Sequence, residues 1–257
     1  MPRIPAGFEL LLLFAGAFFV AALVTPALVG PLDGVGGLPS PTSVLLNVAA
    51  QQLLAVLGVA VLVWRVDSLE WADVVGTRPR RIAAWTTATV CLTTAWAIAQ
   101  VPVIRLWASL TGTEQPQWWD EATSTSGGAL ALSYLVLAVI APICEETFFR
   151  GVFQYRLAPL GRVLAVAVQA GGFVLFHLDV YGMPAYLVAG LALGALRSAS
   201  GTLWLPVLAH ALHNALGVLE LGGAGATWDR LGSWVWPTLA VLLLMGGAGL
   251  RHALRRG

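Results

Sequence analysis

Lysine is absent from this 257-residue chain, and charge of either sign is scarce: 14 arginines and 13 acidic residues make up 11% of the sequence. A soluble domain carries about 25% charged and about 45–50% apolar residues. Here the apolar share is 58% and the mean hydropathy is +0.81, which excludes an ordinary soluble domain and predicts an integral membrane protein. The formal net charge of +1 leaves no basic surplus for a nucleic-acid partner. Cysteine is nearly absent too. Cys91 and Cys144 both lie in apolar runs, so a disulfide framework is not expected and the redox compartment stays open. No internal repeat, low-complexity tail or loop large enough for a soluble domain is evident, so residues 1–257 read as one integral membrane domain.

Long apolar runs are what the chain does have. A spanning helix needs roughly 20 mostly apolar residues. Eight candidates appear, at 8–29, 43–64, 82–104, 128–149, 163–178, 184–197, 203–219 and 234–250, the fifth and sixth being short. The first is too long and apolar to be a signal-peptide core alone and reads as a retained helix. The expected class is therefore all-α, a polytopic membrane helix bundle of about eight transmembrane helices. Turn-rich breaks separate the runs: "GPLDGVGGLPSP" at 30–41, "GTEQPQWWDE" at 112–121, "DVYGMP" at 179–184 and "SASG" at 198–201.

Arginine sets the expected orientation. Twelve of the 14 fall at the termini or in the second, fourth and sixth connections, among them Arg65, Arg78, Arg156, Arg162, Arg197 and Arg251. Only Arg105 and Arg230 fall in odd-numbered connections. The positive-inside rule then puts both termini in the cytoplasm of a multi-pass protein, expected in a prokaryotic inner membrane. Trp107, Trp118, Trp119, Trp228, Trp234 and Trp236 cluster at the opposite boundary, where amphipathic rings suit the headgroup zone.

Against this background "CEETFFRG" at 144–151 stands out, because it follows directly on the apolar run 129–143. At about 1.5 Å per residue, Glu145 lies roughly 16 Å inside a helix end near Arg156. That is close to the middle of a hydrocarbon core about 30 Å thick. An ionised carboxylate there is costly and marks a functional-site candidate. Arg150 follows Glu146 at i,i+4, so those two share a face and can pair. Glu145 points about 100° away and needs a partner from another helix.

Two later stretches supply candidates. "FVLFH" places Phe173 and His177 at i,i+4 in the fifth run, and "HALHN" places His210 and Asn214 at i,i+4 in the seventh. Singly, such residues are more often hydrogen-bonded packing between helices. Jointly, a Glu pair, histidines and an Asn on apolar segments point to chemistry. "EETFFR", "FVLFH" and "HALHN" resemble the EExxxR, FxxxH and HxxxN motifs of the CPBP superfamily. That superfamily comprises the type-II CAAX proteases and bacteriocin-processing or self-immunity proteins, also called the Abi family. The stretch 190–214, a small-residue helix, a Ser-Gly turn and the third motif, also fits. The resemblance covers residues 128–220, the expected catalytic core.

The resemblance implies an eight-helix, all-α intramembrane endopeptidase. Glu145 and His177 would bind and activate a water. His210 and Asn214 would polarise the scissile carbonyl and hold its oxyanion. Glu146 and Arg150 would form a supporting ion pair, with Phe173 as packing; His213 matches no family residue. The physical logic agrees: peptide hydrolysis needs a base for water and donors for the oxyanion, and these side chains provide both. Substrate backbone at membrane depth also needs a protein-lined cavity. Gly190 and Gly194 form a GxxxG pair for close helix packing, and Gly171–Gly172 offers a close approach or a bend.

No cofactor is expected. The mechanistic rival is a zinc site of Glu145, His177 and His210 with a bound water. No HExxH is present, and plain acid–base chemistry already accounts for the residue set. Cys144 as nucleophile is weaker, since an apolar thiol is usually inert. The expected partners are the lipid bilayer and a membrane-associated protein or peptide substrate. The functional alternatives are a non-catalytic immunity or scaffold protein of the same family and, less favoured, a proton-coupled transporter.

Overall fold

The computed structural model describes residues 41–66, 70–115, 127–219 and 231–255, together with Gly16, Phe19 and Val20. The rest of the expected first span, the break at 30–40, Trp118, Trp119, Trp228 and Arg230 lie outside the described residues. Among those described the protein is all-α, and the one extended pairing is an antiparallel bridge between Gly76 and Thr202.

The helices are α1 (Pro41–Val66), a short α2 (Trp71–Val75), α3 (Ile82–Thr111), α4 (Gly127–Arg156), α5 (Arg162–His177), α6 (Met183–Ser200), α7 (Trp204–Leu219) and α8 (Val235–Leu254). Periodicity did not anticipate α2. α4 runs on beyond the apolar run 128–149 to Arg156, where the sequence placed the helix end. α3, α4 and the stretch Gly232–Leu254 are long and apolar enough to cross a membrane. α5 and α7, with 16 residues each, are shorter apolar helices. At about 1.5 Å per residue each is roughly 24 Å long, less than a hydrocarbon core of about 30 Å. The chain is a membrane protein built as a helical bundle.

Helix ends follow local chemistry. α6 continues through Ser198 to Ser200 and stops at Gly201, where φ is +73°, a conformation glycine adopts without steric cost. The break expected at 198–201 thus falls at 201–203, three residues between α6 and α7. α5 ends at His177, and Leu178 takes the left-handed region at φ +48°. Asp179 then accepts hydrogen bonds from the N–H groups of Tyr181 (2.9 Å) and Gly182 (3.1 Å), an Asx turn that leads into α6. α5 is one continuous helix through Gly171–Gly172, so the paired glycines do not break it.

The core wraps the second half of α4. Phe148, Phe149, Phe153 and Phe173 are all 2% exposed or less and meet largely edge to face. α6 crosses against α5 and α4 through its glycines. A Cβ at Gly190 would lie 3.0 Å from the Cα of Ala170, and one at Gly194 would collide with the Gln169 amide. The bare backbone there receives side chains instead. Gln169 Nε2 donates to the Gly190 carbonyl (2.7 Å), and Gln154 Nε2 donates to that of Gly194 (3.0 Å).

Candidate active site

α4 presents the acidic pair between two π turns, Val136–Ile140 and Thr147–Phe153. π turns widen a helix and recur at functional sites. Polar side chains from neighbouring helices reach the carbonyls of both: Asn214 Nδ2 donates to Leu137 (2.8 Å) and Arg197 Nε to Arg150 (3.4 Å).

Glu145 and Glu146 are 5% and 0% exposed, and their surroundings differ. Glu146 lies in an ion pair with Arg150 at 2.7 Å, the i,i+4 contact expected from the sequence. The same oxygen, Oε1, accepts from His210 Nδ1 at 2.8 Å. Arg150 is 1% exposed and stacks over the Phe173 ring, with its guanidinium carbon 4.4 Å from the centroid. Its Nη2 also donates to the Gly190 carbonyl at 3.4 Å.

Glu145 finds its partners on three other helices. Its Oε1 accepts from Gln52 Nε2 of α1 at 2.7 Å. Its Oε2 accepts no hydrogen bond among the described residues and lies 3.9 Å from both His177 Nε2 and His210 Nε2. His177 is fixed from behind, because its Nδ1 sits 2.7 Å from the Phe173 carbonyl. A carbonyl only accepts, so Nδ1 carries the proton and Nε2 faces Glu145. The His177 ring stacks on Tyr186 (centroids 4.0 Å apart, 23° between planes), and the Tyr186 hydroxyl donates to Asp179 at 2.9 Å.

Glu145, His177, His210 and Asn214 all border one cavity of about 1190 Å³. The cavity reaches Ile104 and Arg105 near one end of the bundle and Arg162, Leu250 and Leu254 at the other. All four catalytic candidates therefore meet at one space, with Phe173 on its wall and the Glu146–Arg150 pair outside the lining. His213, three residues after His210, turns instead to Gln100 of α3 (3.0 Å). Cys144 is buried and free.

The rival zinc ligands also converge, but their spacing is wide. Ligands of a tetrahedral zinc with bonds of about 2.0–2.1 Å sit roughly 3.3 Å from one another. The Oε2–Nε2 separations are both 3.9 Å. Among the described residues no group of three His, Cys, Asp or Glu is arranged to hold a metal ion.

Gln52, Tyr186 and Asp179 escaped the sequence reading. The one available signal for Gln52 was the polar pair Gln51–Gln52 inside an apolar run. Tyr186 carried none, because its contact with His177 depends on how α6 docks.

No curated protein and no solved structure matches the chain. Residues 127–216, which hold all three motifs and the whole Glu–His–His–Asn set, match the protein family described as Rce1-like, type II CAAX prenyl endopeptidase, consistent with the CPBP superfamily.

Proposed function

We propose that the protein is an intramembrane endopeptidase of the glutamate type, hydrolysing a peptide bond of a membrane-associated protein or peptide without a metal ion. The observation that carries this reading is the bare Oε2 of Glu145, buried and 3.9 Å from the Nε2 atoms of two histidines. A water at about 2.8 Å from such atoms makes ordinary hydrogen bonds to them. Donating its protons to Glu145 Oε2 and His177 Nε2, it aims a lone pair into the cavity.

The scheme balances on this chain's own side chains. The water oxygen bonds to the scissile carbonyl carbon as its proton passes to Glu145. The oxyanion is met by an N–H of Asn214, whose amide has a second hydrogen beyond the one given to Leu137. His210 is the other donor. Its Nδ1 is committed to Glu146, so Nε2 donates only when the ring carries a second proton. Collapse breaks the C–N bond, and Glu145 returns its proton to the leaving amine. Phe173 supports from two sides, through its carbonyl on His177 and its ring under Arg150.

The same reading takes the chain as multi-pass in a prokaryotic inner membrane with both termini cytoplasmic, supported by the arginine distribution. The substrate class follows the family description: a CAAX-like carboxyl-terminal segment, or a leader or tail segment processed in the same way. Comparing mature protein termini in membrane extracts with wild-type and Glu145→Ala protein tests the activity. Cleavage is expected to vanish with Glu145→Ala and with His177→Ala while both variants insert and accumulate, and to persist in the presence of a chelator. Unchanged turnover in either variant overturns the assignment. Cleavage lost to the chelator and restored by zinc replaces the metal-free scheme. No cleavage by wild type leaves a binding or immunity protein.

A further inference from the structure

The reaction scheme draws on α4, α5 and α7 and leaves α3 unused, yet α3 carries a row of polar side chains through an apolar helix. Thr89, Thr93, Trp96 and Gln100 recur at intervals of four, three and four residues and share one face, and that face borders the cavity. Thr89 is 4% exposed, and its hydroxyl has no hydrogen-bond partner among the described residues. The indole N–H of Trp96 is likewise buried without a partner. Asn47 of α1 also borders the cavity, is 6% exposed, and has an amide oxygen with no partner among the described residues. Thr94, off this face, behaves differently: its hydroxyl donates to the Val90 carbonyl of its own helix at 2.9 Å. That is the usual refuge of a threonine in an apolar helix. Polar groups serving only to join helices find partners in the bundle; among the described residues Thr89 and Trp96 have none.

We propose that this row is a cradle for the main chain of the substrate, holding a peptide extended along α3. The proposal rests on the endopeptidase reading for the identity of its occupant. An extended segment in such a cavity exposes N–H and C=O groups that are costly to leave unpaired away from water. From Thr89 to Gln100 the helix rises roughly 16 Å, the length of about five extended residues at 3.3 Å each. The indole of Trp96 only donates and takes a substrate carbonyl; hydroxyls and amides take either group. Gln100 bonds to His213, on the helix that carries His210. The Gln100 end of the row therefore adjoins the reacting bond, and the Thr89 end holds the flanking residues. Because recognition is through the backbone, binding tolerates many side-chain sequences.

The test uses full-length Glu145→Gln protein in lipid nanodiscs and a fluorescein-labelled decapeptide of alanine and leucine. A second copy of the peptide has alternate amides N-methylated, and a third ends in farnesyl-cysteine. Thr93→Val, Trp96→Phe and Gln100→Leu are each expected to weaken the unmodified peptides roughly three- to ten-fold, the scale of one hydrogen bond. Thr94→Val should change nothing. N-methylation is expected to weaken binding to the unmutated row, an arm that does not depend on how a variant folds. Equal binding of the methylated and unmethylated peptides overturns the cradle. So does equal binding by the row variants, or no binding by any peptide. Binding here without cleavage by wild type sinks the endopeptidase reading alone. Cleavage by wild type with no effect of the row sinks the cradle alone.

Discussion

Glu145 has one oxygen held and one bare, and Gln52 is the reason. Its amide fixes Oε1 at 2.7 Å, so Oε2 is left to face the two imidazoles. Gln52→Leu keeps the bulk and removes the donor at a site 3% exposed. The carboxylate then loses its orientation, and kcat should fall roughly ten-fold with little change in KM, the cost of one well-aimed hydrogen bond to a charged group. Steady-state kinetics on a cleaved substrate reads this directly; a change in KM alone says that Gln52 does not act through Glu145. Glu146 works differently, because one of its oxygens serves both Arg150 and His210. Glu146→Gln or Arg150→Ala strands a charge in a site that is 0% or 1% exposed. Each should lower stability by about 3–5 kcal/mol, seen as a lower melting temperature in detergent. A double neutral replacement, Glu146→Gln with Arg150→Met, should recover part of the loss. Single variants that melt like wild type remove the ion pair from the account of stability.

Among the elements, α6 shows how a helix is docked by what it lacks. Its bare face at Gly190 and Gly194 lets α5 and α4 send Gln169, Gln154 and Arg150 onto its carbonyls. The same docking brings Tyr186 over His177. Gly190→Ala places a methyl 3.0 Å from the Cα and Cβ of Ala170, and that backbone cannot swing aside. We expect a loss on the order of 1–3 kcal/mol from overpacking, with weaker cleavage as His177 loses its platform. Gly171→Ala is the matched control, since its Cβ meets nothing within 4 Å and alanine favours a helix. Thermal unfolding of the two variants side by side checks this, and equal melting temperatures count against close α5–α6 packing. The GxxxG spacing was legible in the sequence. The shortness of the fifth run was legible too, and the Asx turn of Asp179 shows where its helix stops, at His177.

For the whole molecule, the ends of the cavity decide how substrate gains access. The cavity borders Arg105 at one end and Arg162 and Leu254 at the other. In the proposed orientation, with both termini cytoplasmic, the Arg162 end would face the cytoplasm, and we expect substrate to enter there. Single cysteines at Leu196 and Leu254, in a background lacking the two buried cysteines Cys91 and Cys144, should react with an impermeant thiol reagent in inverted vesicles and not in right-side-out ones. Labelling from the external side alone reverses both the topology and the end of the substrate that is cut.

The sequence by itself determined what is local or compositional. Apolar length forced a helical membrane protein, because a lipid-exposed backbone must bond to itself. The i,i+4 spacing made the Glu146–Arg150 pair, and the three motifs named the side chains that meet at the cavity. Tertiary structure alone decided how those side chains are aimed. Gln52 reaches Glu145 across 93 positions and Glu146 reaches His210 across 64. The partner of Glu145 had to come from another helix, but nothing in a helical period says which one. That choice is made by packing: where α4 widens into its π turns, how closely the glycines let α6 approach, and where α5 ends.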